Sequence, residues 1–360
     1  MIKLFPYIYE PEKSLEVLQQ TEKYFIEKPD IKNKIEELGW VYHSIGKSIP
    51  QTTENFWSGH YFPYVESWDE LQISFNLVAF GLYKQAFMSL RNALEVGMLS
   101  VYYNIDDDGH KVVKDWLNSK DTWEANTPRS DKIWKILKSN GNINKFNELF
   151  RLEDEFNSLS FLHNFVHTKG YKFSNKLGIP KPNCQTFAED IFLKWLNTYQ
   201  RIIEFILILH ILKYPISIIE YDWSVKIGID NPFPVLEVFE IEKIKKILPK
   251  EYFDELKKIA ENDKNTQDLF DHICNLPDMS ENDQESQIIR SVKMFIEHGE
   301  GFIEWEKKER ELMKECSDEV KEKISKRIEI IREWAIENNM MKSQLERLKE
   351  EGFFNKQKYT

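Results

Sequence analysis

The stretch IIEFILILHIL, residues 202–212, is the most apolar run of the chain, and it indicates the fold class. It is too short to span a bilayer and contains Glu204 and His210, so a buried core helix is the better interpretation. We predict that the helix covers residues 187–213. Thr186 and Glu189 have the spacing of an N-terminal capping box, and Pro215 follows the helix end.

The composition around this helix favours an all-α protein. Only 13 glycines and 13 prolines stand among many Glu, Lys, Leu and Ile residues, which favours helices. A chain of 360 residues is long enough for two domains with sizeable cores. The three cysteines are far apart, and the first residues have no apolar signal segment. We therefore expect a cytoplasmic protein with reduced thiols and no membrane segment. The net charge of -11 means that any site for a polyanion would have to be local.

The apolar periodicity before the core helix predicts further helices. Residues 12–46 indicate two short helices separated near Pro29, and residues 67–104 indicate one long helical segment with a bend or close packing at Gly81. Residues 143–169 are predicted as another single long helix.

A change of composition at residues 214–235 predicts an irregular connection, since prolines, glycines and β-branched residues accumulate there. We therefore expect a helical bundle at 1–220 and a helical C-terminal domain at 221–360. The last helix is predicted at about 302–351, with apolar residues at steps of three and four that are close to a heptad seam. This coiled-coil-like helix either packs back on its neighbours or pairs with a second copy or a protein partner.

Two histidines lie one helical turn apart, His163 and His167, so on a helix they share a face. An HxxxH pair can hold a metal ion, but Asn164 stands where zinc proteases carry a glutamate, and the spacing indicates no third ligand. The pair can instead be structural, or it can serve in acid–base chemistry or contact a phosphate. We expect no metal and no cofactor.

A charged pair interrupts the apolar stripe of SLRNALEVG, residues 89–97. Arg91 and Glu95 are separated by four residues, the spacing of neighbours on a helix. One interpretation is a surface ion pair that contributes little to stability. The other is an arginine that Glu95 holds towards a cleft, where its planar fork of donors can bind a phosphate.

A basic loop, KGYKFSNKLGIPKPN, follows the histidine pair and contains no acidic residue. Lys169, Lys172 and Lys176 alternate there with the aromatic residues Tyr171 and Phe173. Lysines contact phosphates and aromatic rings stack on bases, so the pattern suits single-stranded nucleic acid as well as an ordinary solvated loop. The sequence contains no GxxxxGK[ST], GxGxxG or GxSxG motif, which leaves P-loop, dinucleotide and serine-hydrolase functions without support.

The order of these features resembles a known family. SLRNALEVG is followed by DW at 115–116, by LSFLHNFVHTKG at 159–170 and by the apolar helix. This order resembles the HEPN-like helical proteins of bacteria and archaea, including abortive-infection-type members, over about residues 64–213. The resemblance implies a helical bundle that forms dimers. It also implies a metal-independent RNase activity of the kind found in toxin–antitoxin and antiphage systems.

The usual catalytic motif of that family places an arginine a few residues before a histidine on one helix. In this chain Leu162 occupies the place of the arginine, and His163 follows in the place of a neighbouring polar residue. Arg91, on another helix, is the residue that can substitute for the missing arginine in space.

These observations predict an RNA-directed protein of prokaryotic defence, either a metal-independent endoribonuclease or a binder of RNA or nucleotides. His167 is expected to act as acid or base and Arg91 to stabilise the phosphate charge, with both facing one cleft. His163 and Asn164 would position the RNA backbone, Glu95 would hold Arg91, and the basic loop would hold the strand. The alternatives are a non-enzymatic protein that forms oligomers or binds a protein partner through its C-terminal helices, and a metal-dependent hydrolase.

Overall fold

The structure of the protein is a computed structural model, and it describes most of the chain. The described residues are 11–50, 52, 61–105, 114, 118, 128–167, 169–170, 173, 186–229 and 233–350. They form helices and no strand, which confirms the prediction of an all-α protein. None of the helices in these ranges combines the length and the apolar character needed to cross a membrane.

The chain divides into two compact units. Unit 1 comprises Met1–Asp222 and Pro232–His272, and unit 2 comprises Trp223–Asn231 and Ile273–Thr360. Residues 232–272 thus belong with the first part of the chain, whereas the change of composition predicted a second domain from residue 221. The physical reason is burial, because Ile241, Ile244 and Leu256 are fully buried in the core of unit 1.

The helices of the described residues are numbered here in chain order. They are α1 (Pro11–Glu27), α2 (Pro29–Ile45), α3 (Phe62–Ala79), α4 (Tyr83–Ile105), α5 (Ser130–Leu137), α6 (Gly141–Phe150), α7 (Leu152–Leu159), α8 (His163–Val166), α9 (Glu189–Lys213), α10 (Ser224–Ile227), α11 (Val238–Ile247), α12 (Lys250–Asn262), α13 (Lys264–Cys274), α14 (Glu281–His298), α15 (Phe302–Leu312), α16 (Asp318–Glu337) and α17 (Gln344–Glu350). Short 3₁₀ turns occur at Gly46–Ser48, Ser160–Leu162, Pro215–Ile218 and Met313–Glu315.

Helix α9 is the predicted core helix, and residues 202, 203 and 205–212 are all buried. It begins at Glu189 without the predicted capping box, since no side chain caps its first turn. The backbone N–H of Ala188 instead donates to the Tyr83 hydroxyl of α4 at 2.8 Å. The hydroxyl of a distant aromatic residue therefore accepts the hydrogen bond of a backbone N–H just before α9. A short-range sequence motif does not reveal such a partner.

The helical segment predicted from 67 to 104 is two helices, α3 and α4. Gly81 adopts φ +73°, and the N–H groups of Gly81 and Leu82 donate to the carbonyls of Val78 and Leu77 at 3.0 and 2.8 Å. These two bonds form a Schellman motif, which ends a helix at a left-handed glycine. The predicted bend at Gly81 is therefore a complete break between two helices.

The prediction of a single helix from 143 to 169 is also wrong. The segment is divided into α6, α7, a 3₁₀ turn and α8. Arg151 takes the left-handed conformation with φ +53°, and the side chain of Asn147 accepts the backbone N–H of Glu153 at 2.8 Å. A polar side chain that bonds to nearby backbone competes with helix continuation, which explains the break.

The long terminal helix predicted in unit 2 is three helices, α15, α16 and α17. A 3₁₀ turn ends α15, and Asn339 with φ +58° follows α16. Ile328, Ile331 and Ala335 of the heptad-like seam are fully buried. They pack in a cluster with Ile296, Phe302 and Trp305 of the same unit, so this part of the seam packs on its own neighbours. Pairing with a second copy stays a prediction.

Gly97 of α4 lies where three helices approach one another. A Cβ atom at this position would overlap the side chain of Ile206 in α9 and would lie 2.8 Å from Ser67 Oγ in α3. The Ser67 hydroxyl is itself held, because it accepts a hydrogen bond from Tyr42 at 2.6 Å and donates to the Ala93 carbonyl at 2.7 Å. Ser67 thus lies inside α3, and the helix start predicted at Ser67 is wrong.

We expect the substitution Gly97→Ala to lower the free energy of unfolding by about 1–2 kcal/mol, since overpacking outweighs the gain in helix propensity. The matched control is Gly141→Ala at the start of α6, where a Cβ atom has no neighbour within 4 Å. Thermal unfolding of the two variants measures the difference. Equal melting temperatures for both variants would contradict the close approach at Gly97.

His210 of α9 is a fully buried titratable group. Its Nδ1–H donates to the Ile206 carbonyl at 2.9 Å, and its Nε2 lies 3.1 Å from Ser100 Oγ of α4. Burial lowers the pKa of His210 from its ordinary value of 6.5 to about 4, although the bond to Ile206 acts in the opposite direction. The imidazole is therefore neutral in the folded protein at pH 7.

Between pH 6.5 and about 4 the unfolded chain binds a proton at His210 that the folded chain does not bind. Stability is therefore complete above pH 6.5 and falls as the pH decreases, by about 3 kcal/mol across the whole window. We expect His210→Leu to reduce the difference between the melting temperatures at pH 7.5 and pH 5. The prediction fails if the melting temperatures of the wild type and the variant decrease equally between pH 7.5 and pH 5.

Candidate functional site

Arg91, Glu95 and His163 come together in unit 1. The Nε–H of Arg91 donates to His163 Nδ1 at 3.1 Å, and Arg91 Nη2 donates to Glu95 Oε1 at 2.9 Å. The carboxylate oxygen also lies 3.9 Å from His163 Nδ1. The Arg91 side chain is only 20% exposed. The ion pair predicted from the i, i+4 spacing is therefore part of a three-residue cluster in which Arg91 is largely covered.

Packing between α8 and α4 positions the histidine. Phe165 of α8 is fully buried, and its ring stacks on that of Phe87 in α4 with centroids 4.8 Å apart and an angle of 8°. Leu162, in the 3₁₀ turn before α8, is 1% exposed. These two apolar anchors flank His163, which leaves its ring at the edge of the core and within reach of Arg91.

The cluster borders a cavity of about 560 Å³. Its polar lining residues are Arg91, Glu95, Arg129, Asp131 and His163. Its other lining residues are Val96, Met98, Leu99, Pro128, Ile133 and Phe156. A concave, mostly apolar cavity with a few convergent polar groups has the usual character of a small-ligand site.

Burial and the neighbouring positive charges favour the neutral form of the His163 imidazole. Burial lowers the pKa of His163, and the positive charge of Arg91 lowers it further, as do His167 and Lys169, whereas the Glu95 carboxylate raises it. Because Nδ1 accepts the Arg91 hydrogen bond, the ring hydrogen of the neutral form is assigned to Nε2. Within the described part of the chain, Nε2 of His163 and Nη1 of Arg91 have no hydrogen-bond partner. Both groups are thus available to a ligand.

His167 is placed differently from the prediction. It is exposed and is not among the residues that line the cavity. Its backbone N–H donates to the His163 carbonyl at 3.0 Å. The prediction that Arg91 and His167 face one cleft is therefore wrong in its choice of histidine, since His163 is the residue that meets Arg91.

The other predicted binding residues are only partly covered by the structure. Asn164 is half-buried, and its backbone carbonyl accepts the N–H of Lys169 at 3.2 Å. Lys169 is exposed. The predictions for Tyr171, Lys172 and Lys176 lie outside the described residues.

Sequence reasoning missed Arg129, Asp131 and Phe156 as cavity residues. Arg129 immediately precedes α5, and Asp131 lies in the first turn of that helix. Nothing in the local pattern relates them to Arg91, because the cavity depends on how α5 packs against α4 and on the ring contacts of Phe156 with Trp134 and Phe205. Acidic residues are common in the first turn of a helix because they stabilise it there. Asp131 therefore did not indicate a binding site.

Comparison of the chain with protein-family models, curated proteins and solved structures finds no match in any of the three. The resemblance to HEPN-like proteins consequently stays a prediction. Among the described residues, no three His, Cys, Asp or Glu side chains are grouped so that they could hold a metal ion.

The geometry predicts opposite effects of Arg91 and Glu95 on the titration of His163. Arg91→Gln removes a positive charge beside the ring, so the pKa of His163 should rise, whereas Glu95→Gln should lower it further. Nuclear magnetic resonance of the imidazole protons as a function of pH measures both shifts. Shifts of the same sign in the two variants would contradict the cluster.

Proposed function

We propose that the protein binds RNA at the Arg91–His163 cavity and cleaves a phosphodiester bond there without a metal ion. The observation that supports this proposal is the 3.1 Å hydrogen bond from Arg91 Nε to His163 Nδ1 at the cavity edge. It joins a phosphate-binding cation and a neutral acid–base group, although the two residues are 72 positions apart in the chain. The family resemblance suggested this combination with Arg91 as the substituting arginine.

Arg91 is suited to hold the scissile phosphate. Its guanidinium is always charged, and the Glu95 carboxylate fixes one side of the donor fork at 2.9 Å. A phosphate oxygen can accept hydrogen bonds from Nη1, which has no partner among the described residues. A cation fixed in place before the substrate arrives stabilises the negative charge that develops on phosphorus in the transition state.

His163 is suited to transfer the proton. Its lowered pKa leaves the imidazole unprotonated at neutral pH, with the lone pair on Nδ1. When a phosphate oxygen accepts the Nε–H of Arg91 in place of His163, while the bond from Nη2 to Glu95 is kept, Nδ1 becomes free to accept the proton of the ribose 2′-hydroxyl. The 2′-oxygen then attacks phosphorus, and the imidazolium returns a proton to the departing 5′-oxygen. The products are a 2′,3′-cyclic phosphate and a 5′-hydroxyl.

The remaining cavity residues suit a single nucleotide unit. Leu99, Ile133 and Phe156 offer apolar contact to a ribose or base, and the cavity of about 560 Å³ falls within the usual size of ligand sites. Asp131 and Arg129 add one charge of each sign at the same cavity. The net charge of -11 does not favour a general surface for polyanions. The proposed contact with RNA is therefore local.

The test is incubation of end-labelled single-stranded RNA with the purified protein in EDTA. We expect cleavage with cyclic phosphate ends, a loss of about 100-fold or more in His163→Ala, and activity close to wild type in His167→Ala. The two variants are matched, since each removes one histidine of the same turn. Melting temperatures show whether both remain folded.

Loss of cleavage in His167→Ala with retention in His163→Ala would restore the sequence-based assignment and overturn the present one. RNA binding without cleavage at low salt would reduce the site to a binding site. Absence of both would overturn the proposed function and favour a non-enzymatic interaction protein. Unit 2 offers exposed apolar side chains for such a role, including Phe295, Leu312 and Ile336.

A further inference from the structure

A second cavity of unit 1, of about 480 Å³, has an aromatic lining that the proposed RNA chemistry does not use. It is lined by Glu36, Gly39, Trp40, His43 and Trp68. All of these residues except Trp68 are on α2, at spacings of three, one and three residues, which places them along one face of the helix. Trp68 is on α3.

The two tryptophans are held by different neighbours. The Trp68 ring stacks on Tyr42 with centroids 5.7 Å apart and an angle of 19°. The Trp68 ring also lies beside Gly39, where a Cβ atom would be in ordinary van der Waals contact with the ring edge at 3.4 Å. The Trp40 ring meets Phe239 edge-on at 5.9 Å. Trp40 is nevertheless 45% exposed, so part of its indole surface is open to a ligand.

A cation already lies against this aromatic site. The ammonium nitrogen of Lys243, on α11, lies 3.6 Å from the centroid of the Trp40 ring. The negative face of an indole ring attracts cations, and this attraction is strongest for tryptophan among the aromatic side chains. The contact shows that a positively charged group can lie against the Trp40 ring.

The carboxylate of Glu36 supplies the complementary charge at the cavity. Its only ion-pair partner within the described ranges is Lys32, at 3.4 Å, and both side chains are more than half exposed. Such a surface pair contributes little free energy and is readily exchanged for another cation. A carboxylate beside two indole rings therefore combines charge attraction with aromatic contact.

We propose that this cavity binds an organic ammonium ion, of the quaternary or methylated alkylammonium class. Methylated ammonium groups are weakly hydrated and fit aromatic sites, whereas a phosphate would be repelled by Glu36. The ligand is either a free cation or a methylated lysine side chain of another protein, since both carry the same head group. The inference stands independently of RNA cleavage.

The first experiment uses choline and 3,3-dimethylbutan-1-ol, which share shape but differ in charge. The protein is labelled with ¹⁵N-tryptophan, and the indole resonances of the 10 tryptophans are followed by nuclear magnetic resonance. We expect choline to shift the Trp40 and Trp68 resonances, assigned from the Trp40→Leu and Trp68→Leu spectra, and the neutral alcohol to leave them in place. Equal shifts with both compounds would overturn the proposal in favour of a merely apolar site.

Charge variants test the same inference without removing an aromatic ring. Glu36→Gln should weaken choline binding about five-fold, and Lys243→Gln should strengthen it because a competing cation is lost. Glu22→Gln on the exposed surface of α1 is the control and should have no effect. Unchanged choline binding in both Glu36→Gln and Lys243→Gln would overturn the proposal.

A final comparison identifies the source of the ammonium group. A short peptide with trimethyllysine is titrated beside its unmodified lysine form and beside choline. Preference for the trimethyllysine peptide over choline assigns the site to a protein partner, and preference for choline assigns it to a small ligand. Guanosine monophosphate binding in place of every ammonium probe would overturn the proposal and indicate base stacking instead.

Discussion

Unit 1 depends on the close approach of α3, α4 and α9 at Gly97. The position has no room for a Cβ atom, since Ile206 and Ser67 occupy that space. At about 100° per residue, Arg91 and Glu95 lie roughly 120° and 160° around α4 from Gly97. The packed side of α4 therefore fixes the helix in place, and the opposite side presents the charged pair. The candidate site is a consequence of how tightly the other side of the same helix is packed.

Several buried polar side chains of this core form hydrogen bonds between helices, which limits the arrangements that the helices can adopt. Ser67 links Tyr42 to the Ala93 carbonyl, and His210 links the Ile206 carbonyl to Ser100. An apolar contact tolerates sliding, whereas a buried hydrogen bond is lost when its partners move, at the expense of an unsatisfied polar group. These bonds thus define one register of α2, α3, α4 and α9.

The sequence predicted what depends on local pattern. The apolar run of α9 and the i, i+4 spacing of Arg91 and Glu95 are visible without a structure, and both were found as expected. At Gly81 a bend was predicted where the helix breaks completely, and the break at Arg151 was missed, because a left-handed residue interrupts a helix without interrupting its apolar periodicity. The choice between His163 and His167 could not be made either. It depends on the 3₁₀ turn before α8 and on contacts between residues far apart in the chain.

The two halves of the candidate site differ in how firmly the backbone beneath them is held. Arg91 is on a helix of 23 residues, whereas His163 begins a helix of only four residues. A single helical turn has few backbone hydrogen bonds of its own. The stability of α8 therefore depends on the stacking of Phe165 on Phe87. Local opening of α8 would require much less free energy than unfolding of unit 1. We therefore expect amide hydrogen exchange to be faster in α8 than in α4, with the two helices exchanging as separate cooperative units.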